Sequence, residues 1–281
     1  MKPFGFEALG THWWIEVWDE VSVETRGAAE GRAAALAKAF NDRYSRFLPD
    51  SEISVLNRER ILIDPSPETR VLLQYGVDLF RRTKGTFNFL TGHILEARGY
   101  DKDYSFTDKD SATLTPGNPT TDLIFSEDNI ELRFGNIDLG GYGKGWCIDL
   151  IANLFRDELG LEQFLINGGG DMFVTHQGGE AVEIYLQDAF DPQKIIGSTF
   201  VKNRGFAASS PHQRRWPARL PADADARAPA YHTHIVGTVS QDIIYLTALT
   251  ATDADAFATT LLQVDVATAK QLAAENHLEI L

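Results

Sequence analysis

Two glycine clusters, Gly140-Gly141-Tyr142-Gly143-Lys144-Gly145 and Asn167-Gly168-Gly169-Gly170-Asp171, bound a stretch in which the hydrophobic period changes twice. Before the first cluster, residues 129–134 and 136–139 read as short strands. Between the clusters, Ile148, Ile151, Phe155 and Leu159 recur at helical spacing, so 144–159 reads as a helix with one apolar stripe and Gly160 as its stop. Residues 164–166 return to strand character and run into the second cluster. A strand that turns through glycine into a helix, and back into a strand, needs both element types around a common core.

The remaining chain is consistent with this. Residues 11–18 alternate aromatic and β-branched side chains and read as a strand, and 24–47 is an Ala-rich helix with Leu36, Phe40 and Tyr44 stepping inward. A second helix is expected over 65–83, with Pro65 or Pro67 in its first turn and Gly85 beyond its end. The polar stretch 100–118 reads as a surface excursion or a junction between lobes. Further strands run to Phe206, 214–229 is a loop, strands resume over 231–236 and 243–250, and two helices from Asp253 and over 267–276 precede a terminal strand. Helices and strands out of strict alternation predict an α+β fold. At 281 residues this is one large unit or two lobes.

Charge narrows the function. Lys and Arg number 26 against 40 Asp and Glu, a net charge of −14, so the chain repels nucleic-acid backbones and anionic lipid, and no basic cluster offsets this. No apolar run is long enough to span a membrane, and the N-terminus lacks the apolar core of a secretory signal. No nucleic-acid partner and no membrane anchor are expected. The one cysteine, Cys147, fits a cytoplasmic location.

Three places can carry chemistry. The cluster at 140–145 joins a strand to a helix N-terminus, where free N–H groups and the positive dipole end suit an anion. It matches neither a Walker A loop nor GxGxxG, and a plain tight turn explains it equally well. The Asn167–Asp171 turn carries the same ambiguity. In Ala251-Thr252-Asp253-Ala254-Asp255-Ala256-Phe257-Ala258-Thr259, Asp253 or Thr252 can cap a helix, and Asp255 and Thr259 share a face four residues apart. A carboxylate and a hydroxyl so placed offer hard oxygens to Mg²⁺, though a solvated helix face is the simpler account. His232 and His234 alternate on an expected strand and so share a face; either can accept a proton, and no third ligand makes them a zinc site.

The order of these motifs is more specific than any one of them. Ala8–Thr11, Asp42–Asn57 (DRYSRFLPDSEISVLN), Thr83–Gly92 (TKGTFNFLTG), Ile137–Asp149 (IDLGGYGKGWCID), Ile166–Asp171 (INGGGD), His234-Ile235 and Asp253–Leu261 (DADAFATTL) resemble the successive blocks of the ApbE-like family. The resemblance implies a fold related to the T-fold, with mixed sheets, packed helices and an active site in a cleft between two lobes. It implies an FAD:protein FMN transferase that uses Mg²⁺ to cleave FAD and joins FMN to a Thr or Ser of an acceptor flavoprotein. By position it assigns the metal to Asp255, Thr259 and the Gly143 carbonyl, and the chemistry to His234, Asp255 and Lys144. Leu9, Gly10, Tyr44, Ser45, Asn57, Phe87, Asp138, Gly140, Gly141, Gly169, Gly170 and Asp171 fall on its FAD-binding blocks. The sequence departs where the His-Ile block continues Val236-Gly237-Thr238 instead of Asp-Pro, where Ala208-Ser209-Ser210 replaces Thr-Ser-Gly, and where Asn88 replaces an acid. An FAD-binding protein without transfer, or an FAD pyrophosphatase releasing FMN and AMP, is the alternative.

Overall fold

The computed structural model describes residues 3–109, 111–176, 178–212, 214–218 and 231–281. The chain divides into two compact units, each assembled from separate stretches: Met1–Asn41, Gly140–Ser210 and Gln241–Leu281 form one, and Asp42–Leu139 with Pro211–Ser240 the other.

The first unit is built on a seven-stranded sheet in the order Phe4–Ala8, Thr11–Val17, Gln163–Gly168, Asp171–His176, Arg204–Ser209, Ile244–Ala248, Glu279–Ile280. Neighbouring strands are antiparallel throughout. Alternation along each strand gives the sheet two apolar faces. On one, Phe164 packs edge to face with Phe155, ring centroids 5.2 Å apart, beneath the helix Gly143–Asn153. On the other, Leu165, Val174, Phe206 and Tyr245 meet Ile184 and Val201 of the hairpin formed by Val182–Gln187 and Ile195–Val201. The helix Ala251–Leu261 packs on Arg204–Ser209, Ile244–Ala248 and the helix Gly143–Asn153. Each large apolar side chain so buried contributes about 1.5–3 kcal/mol.

Two helices differ from expectation in which residues face inward. In Val23–Tyr44 the buried stripe is Ala29, Ala33, Ala37, Phe40 and Tyr44, while Leu36 is only half-buried, because small residues let this helix pack closely. The expected helix 144–159 runs as Gly143–Asn153 and then widens into a π turn, Leu154–Glu158. Ile148, Ile151 and Phe155 of the expected stripe are buried, while the wider turn adds Leu154 to it and leaves Leu159 half-buried.

The second unit carries the helices Glu52–Glu59, Pro67–Arg82 and Gly92–Ala97, a sheet ordered Ile61–Ile63, Asn129–Leu132, Leu123–Phe125, and the strand pair Arg215–Pro217 and Tyr231–Thr233. Pro67–Arg82 starts as expected, with Ser66 accepting the Thr69 N–H and Pro67 in the first turn. The expected strand at 136–139 is absent. The Asn57 side chain takes both backbone groups of Ile137, donating to its carbonyl (3.0 Å) and accepting its N–H (2.7 Å), while Asp138 N–H bonds to Phe89 O at 2.8 Å. A side chain has replaced the neighbouring strand. Within the expected loop 214–229, Arg215–Pro217 is a strand, and 219–230 lie outside the described residues. Most of 100–118 is exposed. Among the described residues no helix is long and apolar enough to cross a membrane.

Candidate active site

In the first unit, the helices Gly143–Asn153 and Ala251–Leu261 press their N-termini together. A Cβ on Gly145 would stand 2.3 Å from the Ala251 carbonyl oxygen, so position 145 is glycine because the second helix lies against it. This differs from a phosphate-cradling role for that glycine. None of Gly140, Gly141, Gly143 or Gly145 takes a positive φ.

The free N–H groups of these helix ends are met from across the junction. Asp255 Oδ2 accepts the Gly145 N–H at 3.0 Å. Asp149 accepts the Ala251 and Thr252 N–H groups, both at 2.9 Å, and the Thr252 hydroxyl at 2.5 Å. Thr250, rather than Thr252 or Asp253, caps Ala251–Leu261 locally by accepting the Asp253 N–H. Asp255 is 4% exposed, so the solvated-face reading of this helix fails. Ala254, Phe257, Ala258 and Leu261 of the same helix are buried with it, and a buried carboxylate requires a partner of opposite charge.

Lys144 is that partner. Its Nζ lies 2.5 Å from Asp171 Oδ2 and 3.3 Å from both oxygens of Asp255. Burial disfavours the Lys144 ammonium, but the charges of Asp171 and Asp255 outweigh it and hold the pKa above the ordinary lysine value. Burial, and then the Asp255 charge, push the Asp171 carboxyl up to about 7 against the pull of Lys144. Once Asp171 is ionised, one ammonium between two carboxylates leaves negative charge in a buried place, at two helix N-termini whose dipoles favour it.

Thr259 follows Asp255 by one turn on the same helix and is half-buried, and Gly143 is buried at the first position of its own helix. Among the described residues there is no group of three His, Cys, Asp or Glu that could hold a metal. The expected donor set is of another kind: one carboxylate, one hydroxyl and one carbonyl. Hard oxygens beside a buried excess of negative charge fit a small divalent cation.

Two tight turns stand at one end of the sheet, because Trp13 pairs with Gly168. Leu9 and Gly10 take φ of 51° and 71°, Gly169 and Gly170 of 75° and 105°. Positive φ at both central residues is what a two-residue hairpin asks for. Gly169 packs on Thr11, where a Cβ would come within 2.4 Å of the Thr11 hydroxyl. Leu9 and Gly10 line a hollow of about 290 Å³ with Glu7, Thr11, Lys38 and Asn41. Gly140 is exposed and Gly141 half-buried ahead of Gly143–Asn153.

The other expected residues lie in the second unit. Tyr44 is buried and its hydroxyl accepts from Thr69 at 3.2 Å; Phe87 is buried; the Ser45 carbonyl accepts the Ser51 hydroxyl at 2.7 Å. Asp138 is held by the Arg46 guanidinium, which also donates to Tyr100 O at 2.7 Å and lies over the Phe47 ring at 4.1 Å. Arg46 escaped the sequence reading: a buried arginine looks like any other charge until its partners, 54 and 92 residues away, are known. His234 stands one residue past the end of Tyr231–Thr233, so it does not share a strand face with His232 as expected. His232 Nε2 instead lies 2.6 Å from Asp108 Oδ2.

Known proteins agree with this architecture. A family model described as the ApbE family matches residues 9–281. A curated protein of Rhodobacter capsulatus, FAD:protein FMN transferase, is 27% identical over 190 residues, which is 61% of this chain but 36% of that protein. The alignment thus spans about a third of the length of that relative. The flavin transferase ApbE from Vibrio cholerae superposes with a TM-score of 0.75 at 16% identity, covering 99% of this chain and 92% of that one. The ApbE protein from Thermotoga maritima gives 0.78 at 18% identity, with 99% and 93% covered. With the fold matched across whole chains and the family model spanning all but the first residues, this chain belongs to the ApbE family.

Proposed function

We propose that this protein is a Mg²⁺-dependent FAD:protein FMN transferase. The observation that carries the reading is Lys144 held between Asp171 and Asp255 where two helix N-termini converge. Asp255, Thr259 and the Gly143 carbonyl are the residues that would hold Mg²⁺, which when bound supplies charge neutralisation to pyrophosphate oxygens. Lys144 offers a fixed ammonium to the same oxygens, and the Leu9-Gly10 turn offers backbone N–H groups, whereas the Gly170 N–H is donated to Asn167 Oδ1 at 2.8 Å, so that turn lends its shape. Gly140 and Gly141 lead into the helix that carries Lys144, and in the second unit Tyr44, Ser45, Asn57, Phe87 and Asp138 fall on the family's FAD-binding blocks. Transfer of this kind depends on positioning and on stabilising charge more than on covalent help.

The reaction joins the acceptor Thr or Ser oxygen to the FMN phosphorus while the bond from that phosphorus to the bridging oxygen breaks, and AMP departs with the bridging oxygen. His234 accepts the hydroxyl proton. A positioned base typically contributes about 10²–10⁴ in rate. The test is to incubate the protein with FAD, Mg²⁺ and a cell-extract protein fraction as acceptor, then look for flavin fluorescence on a denaturing gel and an added FMN by mass. Covalent flavin on an acceptor is the expected result. FAD converted to FMN and AMP with no acceptor labelled would instead establish the pyrophosphatase.

A further inference from the structure

His234 is the middle residue of a turn pinned on both sides. On one side, Thr233 ends its strand and closes the turn with its own hydroxyl, which accepts the Ile235 N–H at 3.1 Å. His232, just before it, is fixed at 2.6 Å to Asp108, whose carboxylate also accepts the Ser111 N–H at 2.9 Å. On the other side, the Arg98 guanidinium donates to the Ile235 carbonyl at 3.0 Å, and Ile235 itself is buried. The two sides are tied together, since Trp216 Nε1 donates to Arg98 O at 2.6 Å while Trp216 pairs in register with His232.

Stability accounts for Asp108 but not for Arg98. Arg98 is pushed below its ordinary pKa by burial, and its Nε finds no hydrogen-bond partner among the described residues. The Asp108 carboxyl is also buried, at 7% side-chain exposure, but the Ser111 N–H and His232 outweigh that burial and hold it below the usual carboxylate range. A desolvated guanidinium with an orphaned donor weakens a fold unless something else retains it. What Asp108 and Arg98 share is the three-residue turn that presents His234.

We propose that Asp108, acting through His232, and Arg98, acting through the Ile235 carbonyl, are positioning residues that hold the His234 ring for proton acceptance. This rests on the role given above to His234. A base displaced by about 1 Å loses on the order of 10²-fold in rate without losing its substrate.

The experiment is a double-mutant cycle on FMN transfer from FAD in the presence of Mg²⁺, with thermal melts on every variant. Asp108→Ala should lower kcat about 10- to 100-fold and leave the KM for FAD nearly unchanged. Asp108→Asn, which keeps an acceptor for His232, should restore most of the rate. In a His234→Ala background, Asp108→Ala should cause no further loss, because its effect travels through a ring no longer present. Should Asp108→Ala melt below the assay temperature, His232→Gln and Arg98→Gln carry the same cycle. Additive losses in the double variant, or a raised KM with kcat intact, overturn the positioning role while leaving the transferase reading in place. A wild-type protein that labels no acceptor overturns the transferase reading first.

Discussion

Asp149 and Asp255 exchange caps: each carboxylate accepts backbone N–H groups from the first turns of the helix that carries the other. The arrangement lets two helix N-termini meet although their dipoles repel, because negative charge stands between them. It also sets Lys144, one residue into its helix, against Asp255 on one side and Asp171 on the other. The helix junction and the charged cluster are therefore one construction, and they can be separated by mutation.

Asp149→Ala should weaken the junction without removing a site group. It deprives Ala251, Thr252 and the Thr252 hydroxyl of their acceptor. The expected cost is about 0.5–2 kcal/mol of stability, read as a lower denaturant midpoint at unchanged m-value. A variant as stable as the parent would show that water caps this end equally well.

Asp255→Asn should separate charge from structure. The amide oxygen can still accept the Gly145 N–H, so the fold is retained, while the hard anionic ligand and the counter-charge to Lys144 are gone. Mg²⁺-dependent release of AMP from FAD should fall at least about 10²-fold. AMP release at the parental rate would remove Asp255 from the metal assignment.

The Asp171 carboxyl predicts a pH signature. Burial and Asp255 raise it to about 7 in the folded chain, whereas an unfolded aspartate titrates near ~3.9. Between those values the folded protein holds a proton that the unfolded chain has released, so this group's contribution makes stability fall as pH rises from about 4 to about 7. Denaturant titrations in EDTA should show a steeper fall across that window for wild type than for Asp171→Asn. Parallel profiles for the two proteins would contradict the raised value.

Gly145→Ala tests the close approach directly. The added methyl meets the Ala251 carbonyl at 2.3 Å, a backbone atom that cannot step aside alone. Forcing the helices apart should cost about 1–3 kcal/mol and loosen the contact of Lys144 with Asp255. Thermal melts report the first effect, and a weakened Mg²⁺ response in the same melts the second.

Much of this was legible from local chemistry. The period of two over 11–18, the proline in the first turn and the Gly85 stop of Pro67–Arg82, and the glycine pair at 169–170 act within a few residues, and the structure realises each of them. The motif order was sufficient to place the family. Where the sequence misrepresented burial or pairing, the partner lay far along the chain. Residues 136–139 look like a strand, but Asn57 supplies the hydrogen bonds that a strand would have given. The helix Glu52–Glu59 has an apolar stripe, Ile53 and Leu56, but at eight residues it is too short for that stripe to repeat over several turns.

By itself the sequence determined most of the element types, the glycine turns and the residue kinds available for chemistry, since these follow from backbone sterics and hydrophobic period. Only the tertiary structure decided that Asp255 faces inward instead of toward water, that Gly145 serves helix packing, and that Lys144 reaches Asp171. A helical carboxylate reads the same whether solvated or buried. Its environment depends on a second helix more than a hundred residues away, and burial then obliges it to find the charge and the N–H group that the fold supplies.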